Sequence, residues 1–297
     1  MSGSPPVGPA TFVTSSEGQR IALHDLSDPA TPVDAPLLLF SHATGFHGRV
    51  WTQMATHLND RFRCLALDYR GHGLSTLAQG ASLAWSRMAD DALAVLDHIV
   101  TPRVAVHGVG HSMGGAALAL AEARRPGSFR SLWLYEPVII PPGGLISADG
   151  PNPMADGAIR RRSRFASFDE AYENYAAKEP LRQLLPAALR DYVDGGFEVQ
   201  PDGSIMLRCE PATEAEVFRQ ARAGGAWAVM PELTLPVAIV AGRMEEYGPV
   251  AFAPAAAAAL PRGRLIERPG LGHFGPLEDP QLMAGDLESW IGEVSRE

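Results

Sequence analysis

The sequence predicts a mainly parallel α/β sheet covered by helices on both faces and interrupted by one helical insertion. Short apolar runs rich in Val, Leu and Ile alternate with longer segments of helical period. That alternation is the pattern of strands buried on both faces and joined by crossover helices. It breaks over residues 141–227, where Pro/Gly punctuation gives way to helical segments. At 297 residues, one such domain with an insertion buries roughly three quarters of its unfolded surface.

The strands are expected, in order, at residues 20–24, 36–41, 63–67, 103–107, 131–135, 237–241 and 263–268. Each is a short apolar run bounded by turn-forming residues. Helices are expected at 50–58, 88–99, 113–123, 250–260 and 280–291, where apolar residues recur at helical spacing. Within the insertion the same period marks 169–177 and 186–193. The domain reading is therefore a core of 1–140 and 228–297 with a helical cap of 141–227, and no internal repeat.

Apolar residues make up 46% and charged residues 20%, values of an ordinary folded globular chain. The formal charge of -9 repels a polyphosphate backbone, which excludes nucleic acid as a partner. Cys64 and Cys209 are the only cysteines, too few for a disulfide framework and suited to a reducing compartment. The opening MSGSPPVGPA has neither the cationic start nor the apolar run of a secretory signal, and no window offers about 18 consecutive apolar residues. The expectation is a cytoplasmic protein with no membrane partner, acting on a small molecule.

Gly110-His111-Ser112-Met113-Gly114-Gly115 follows an expected strand and precedes an Ala/Leu-rich helix. A bare G-x-S-x-G pattern arises by chance roughly 0.2 times in a chain this long, but strand before and helix after give it meaning. The serine sits at a strained strand-to-helix turn, with small neighbours so that backbones can approach. The Met113 backbone N–H, at the helix start, lies where an oxyanion forms. A serine hydroxyl needs an imidazole to take its proton, and the one histidine after Ser112 is His273, in the Gly-rich loop Pro269 to Pro276. The second oxyanion donor is expected from the loop after the strand at 36–41, as the backbone N–H of Thr44. His42 is read as tying that loop down.

Taken together, His42-Ala43-Thr44-Gly45, Asp68-Tyr69-Arg70-Gly71-His72-Gly73-Leu74-Ser75, the Ser112 motif and Gly272-His273-Phe274 resemble the α/β-hydrolase superfamily. The resemblance runs from about residue 20 to the C-terminus, apart from the cap. It implies an eight-stranded core, a cap inserted after the sixth strand, and a triad of Ser112, an acid and His273. In this family the usual His-Gly of the oxyanion loop is His42-Ala43 here. The acid also departs: the family most often has Asp in a G-x-x-D pattern, which here reads Gly242-Arg243-Met244-Glu245, followed by Glu246. Glu245 aligns with the usual position. Glu136, in Leu134-Tyr135-Glu136-Pro137, is similar to the acid site of some haloalkane dehalogenases.

Asp68-Tyr69-Arg70 reads as a structural turn. Arg160, Arg161, Arg162 and Arg164 read as a solvated helix face, with an anion-binding cap as the sharper alternative. Relatives that open epoxides or displace halide carry Asp where this chain has Ser112. The expected chemistry is acyl transfer on an ester, thioester, lactone or amide, by a carboxylesterase-like enzyme needing no metal and no organic cofactor. Phe165, Phe168, Tyr172, Tyr175, Leu184, Tyr192 and Phe197 either pack the cap or wall an apolar pocket. Two rivals remain open: a non-hydrolytic enzyme on the same scaffold, such as a C–C lyase or cofactor-free haloperoxidase, and a ligand-binding receptor.

Overall fold

The apolar runs pair edge to edge into one eight-stranded sheet. The computed structural model describes residues 10–99, 104–144, 152–221, 224–246 and 248–296. In chain order the strands are β1 (Thr11–Thr14), β2 (Arg20–Asp25), β3 (Leu37–Ser41), β4 (Arg63–Leu67), β5 (Val106–His111) and β6 (Ser131–Tyr135). An insertion carries the short β7 (Arg164–Phe165), β8 (Phe197–Val199) and β9 (Ile205–Leu207) before β10 (Val237–Ala241) and β11 (Gly263–Glu267) close the sheet. The order across the sheet is β1-β2-β4-β3-β5-β6-β10-β11. β2 pairs antiparallel with both neighbours, and the other pairings are parallel.

Strand β3 shows why the runs are continuous rather than alternating. Side chains alternate faces along a strand, and Leu37 and Leu39 enter one buried cluster while Leu38 and Phe40 enter another. The first cluster is roofed by α2 (Trp85–Ile99), α3 (Met113–Arg124) and α9 (Ala253–Ala259). The second is roofed by α1 (Thr52–Thr56) and α11 (Pro280–Val294). Asp279 caps α11 by accepting the Leu282 N–H at 3.0 Å, satisfying one of the orphan donors of a helix start.

Several boundaries differ from the sequence expectation, each for a local reason. The strand expected at 103–107 runs instead over Val106–His111; Arg103 lies outside the described residues. Its Gly108 and Gly110 read as turn formers, yet both pair in register with β3. β1 went unread because it is a largely exposed edge strand of Thr-Phe-Val-Thr. The helix expected at 250–260 starts as a single 3-10 turn, Pro249–Phe252, and becomes α-helical only at Ala253. Pro254 is tolerated because it falls in the first turn.

The insertion is mainly helical, with α4 (Pro153–Ile159), α5 (Phe168–Ala176), α6 (Pro186–Gly196), α7 (Pro211–Gln220) and α8 (Ala226–Val229). It also contains a small antiparallel sheet, β7-β9-β8, that the sequence did not signal. Strands of two or three residues are too short for a period-two pattern to register. Four of the insertion's aromatics pack on one another: Phe165 meets Phe197 at 5.6 Å between ring centroids, and Tyr175 meets Tyr192 at 5.6 Å. Cys64 and Cys209 are both free and buried. Among the described residues no helix is long and apolar enough to cross a membrane.

Candidate active site

Ser112 stands alone between the end of β5 and the start of α3, at φ 55 and ψ -120. That backbone region is rarely adopted by an L-residue and persists only where the surroundings enforce it. The enforcement is visible. Ser112 N–H donates to the Tyr135 carbonyl at 3.0 Å, and the Ser112 carbonyl accepts from Gly115, Ala116 and Val138. Close packing of strand and helix demands glycine on either side. A β-carbon on Gly110 would lie 2.6 Å from the Gly115 Cα, and one on Gly114 would collide with the Ser41 carbonyl oxygen. Met113 is the first residue of α3, so its N–H has no acceptor within the helix and sits at the positive end of the helix dipole.

His273 lies in the loop between β11 and α10 (Gly275–Glu278), and its Nδ1 is 2.6 Å from Oε2 of Glu136. Glu136 follows β6 at φ 39, is buried, and accepts the Gly242 N–H on Oε1 at 3.0 Å. A carboxylate only accepts hydrogen bonds, so Nδ1 carries the proton and Nε2 keeps a lone pair. The loop is pinned from three sides. Tyr135 donates its hydroxyl to the Gly272 carbonyl at 2.7 Å, and Glu278 accepts the Gly272 and Phe274 N–H groups at 2.8 and 3.2 Å. The third is His111, whose Nε2 donates to the His273 carbonyl at 2.7 Å. Burial and the neighbouring His273 push the His111 pKa well down, so it stays neutral.

The opposite wall is the loop after β3. His42 donates from Nδ1 to the Ala43 carbonyl at 2.8 Å and accepts the Tyr69 N–H on Nε2 at 3.0 Å. Both ring nitrogens are thus engaged in one neutral tautomer, and burial lowers the pKa to about 3. Phe46 N–H donates to the Ala43 carbonyl at 3.1 Å, closing a turn that holds Thr44. The Asp68 turn supports this wall from below: its carboxylate accepts from His24 Nε2 at 2.9 Å, the Gly48 N–H at 2.6 Å and the Leu74 N–H at 2.8 Å. Burial opposes the Asp68 charge, but His24, together with His47 and His42, more than offsets it and holds the carboxyl well below its usual range. Arg70 is buried against Asp91 and Glu17, a structural arrangement.

Thr44, Phe46, Ser112, His273 and Phe274 share one cavity of about 260 Å³ with Met154, Leu181, Tyr192 and Phe218 of the insertion. A larger hollow of about 330 Å³ near Val138, Gly144 and Trp227 has no ionisable side chain among its described lining residues. Of the candidate acids, Glu136 reaches His273, whereas Glu245 and Glu246 stand exposed on the turn after β10. Of the two alternatives the sequence left open, Glu136 is the one in contact with the imidazole. Gly242 spends its N–H on Glu136, Arg243 N–H donates to the Leu271 carbonyl at 2.7 Å, and the chain then runs out to solvent. Among the cap arginines, Arg160, Arg162 and Arg164 are exposed. Arg161 is not on a solvated face: it lines the cavity and pairs with Glu214 at 2.6 Å. Glu214 and His111 were not foreseen at the cavity, and Arg161 was weighed only as one of four cap arginines. Only His111, flanking the serine, carried a positional signal.

Comparison with known proteins places these features in context. A family model described as the alpha/beta hydrolase family matches residues 38–286. The chain is 27% identical over 302 residues to a bifunctional esterase/perhydrolase of Acinetobacter calcoaceticus, covering 94% of this chain and 99% of that protein. It is 30% identical over 221 residues to a pimeloyl-[acyl-carrier protein] methyl ester esterase of Methylococcus capsulatus, covering 72% and 78%. The crystal structure of E-2-(acetamidomethylene)succinate hydrolase superposes with a TM-score of 0.75 at 21% identity, covering 96% of this chain and 99% of the other.

Proposed function

Because the chain belongs to the α/β hydrolase family and is, like its relatives, a hydrolase, we propose that it cleaves a small or medium ester-like substrate through an acyl-enzyme on Ser112. The substrate class is an ester, thioester, lactone or amide with a substantial apolar part. Residues 141–227 serve as the cap over a core of 1–140 and 228–297. The two free buried cysteines suit a reducing cytoplasm.

The carrying observation is the 2.6 Å contact between His273 Nδ1 and Glu136, in the cavity that also contains the strained Ser112. With its proton held on Nδ1, His273 offers Nε2 to the Ser112 hydroxyl as the oxygen attacks the substrate carbonyl. Glu136 stabilises the imidazolium that forms. The backbone N–H groups of Met113 and Thr44 donate to the developing oxyanion, and losing one such donor costs about 100- to 1000-fold in turnover. His273 then gives its proton to the leaving group, and water releases the acyl group by the same route.

A fluorophosphonate probe is expected to label Ser112 covalently, with the modified peptide identified by mass spectrometry. Ser112→Ala is expected to abolish labelling and to lower turnover of p-nitrophenyl esters by about a millionfold. Undiminished turnover in that variant would overturn the assignment. A wild-type enzyme that binds esters without turning them over would favour the receptor reading.

A further inference from the structure

The cavity beside Ser112 concentrates its fixed charge at one point. Arg161, in the bend between α4 and β7, lies with Nη1 2.6 Å from Oε2 of Glu214 on α7. Their side chains are 16% and 9% exposed. The guanidinium also donates to the hydroxyls of Tyr175 and Tyr192. Burial works against its charge, but Glu214 and Tyr175 more than offset that and keep it protonated. Among the described residues lining the cavity, Arg161 is the one guanidinium and Glu214 the one carboxylate.

An unpaired guanidinium in such a pocket is a receptor for carboxylates, because its planar fork matches one. Here the fork is already taken: Glu214 accepts from Nη1, and the hydroxyls of Tyr175 and Tyr192 accept from Nε and Nη2. Glu214 is braced from the core side as well: its carboxyl packs against Gly45, where a β-carbon would collide with it, in the loop that carries Thr44. An entering anion would have to shed its water, find the guanidinium taken, and lie beside a second negative charge. A neutral chain meets Met154, Leu181 and Phe218 and desolvates no ion.

We propose that the Arg161–Glu214 pair sets the substrate class of this pocket: neutral substrates are accepted, and those with a carboxylate on the part that enters beneath the insertion are rejected. The proposal rests on the hydrolase reading of the same site and deepens it.

The test compares kcat/KM for two substrate pairs. One pair carries the charge on the acyl side, p-nitrophenyl hexanoate against the mono-p-nitrophenyl ester of adipic acid. The other carries it on the alcohol side, phenyl hexanoate against 4-carboxyphenyl hexanoate. The wild-type enzyme is expected to prefer the neutral member of at least one pair by about tenfold or more. Glu214→Gln keeps the size and packing of the side chain but leaves the guanidinium without its counter-charge, and is expected to shrink that preference by about tenfold. The double variant Arg161→Met with Glu214→Leu, which removes both charges, is expected to retain it. Equal or better turnover of the anionic members by the wild-type enzyme overturns the proposal. So does a preference unchanged in Glu214→Gln, or lost equally in the double variant. If no ester shows Ser112-dependent turnover, the hydrolase reading falls first and the proposal falls with it.

Discussion

The two glutamates differ in what surrounds them. Glu136 is buried between the Gly242 N–H and His273 Nδ1, whereas Glu245 is exposed. Glu136→Gln is therefore expected to lower kcat by about ten-thousandfold, as in triads that lose their acid, because an amide no longer stabilises the imidazolium. Glu245→Gln is expected to leave kcat/KM within about twofold, as for other exposed side chains. Steady-state kinetics of the two variants side by side checks this, and the reverse ranking would return the acid to the motif position. Ser112 and His273 could be singled out as candidates in the sequence because each lies in a short motif with its own steric logic, and the two line one cavity. Between Glu245 and Glu136 the sequence left the choice open, since it depends on which strand end lies nearest the His273 loop. Arg161 was hidden for a related reason: nothing in a run of arginines distinguishes the member that turns inward.

At the scale of elements, the junction of β5 and α3 depends on backbone proximity more than on side-chain contacts. Gly114→Ala places a methyl group against the Ser41 carbonyl oxygen, and overpacking of this kind costs about 1–3 kcal/mol. The expected result is a lower urea midpoint with slower fluorophosphonate labelling of Ser112, since β3 and α3 must separate to admit the methyl. A midpoint and labelling rate equal to wild type would show that the junction has slack. The strands of the central sheet were readable because both faces are buried and their runs stay apolar. β1 escaped because it has one neighbour and little burial, and β7 to β9 escaped because they are too short to display a period. The boundaries of β5 slipped because glycine, usually a sign of turns, here serves close packing inside a strand.

For the whole molecule, the buried histidines predict acid sensitivity. Burial lowers the pKa of His42 to about 3, of His47 to about 3 and of His107 to about 4. Unfolded, each takes a proton below about pH 6.5; folded, each stays neutral down to its depressed value. The unfolded state thus binds more protons across that window, and stability falls as pH drops from about 6.5 toward 4. From these three side chains alone, uptake of about three protons on unfolding corresponds to roughly 4 kcal/mol per pH unit in mid-window, and His111 and His72, also lowered by burial, act in the same direction. Thermal unfolding followed against pH measures the slope, and a melting temperature flat from pH 6.5 to 4.5 would contradict it. The path of the chain has a separate consequence. β6 and β10 are neighbours in the sheet, so the excursion that carries Arg161 and Glu214 departs and returns side by side. A segment with adjoining ends is a graftable cassette: a chimera that exchanges only residues 141–227, and so leaves Glu136 beside His273 in the host, is expected to take on the donor's substrate taste while keeping the host's own proton relay.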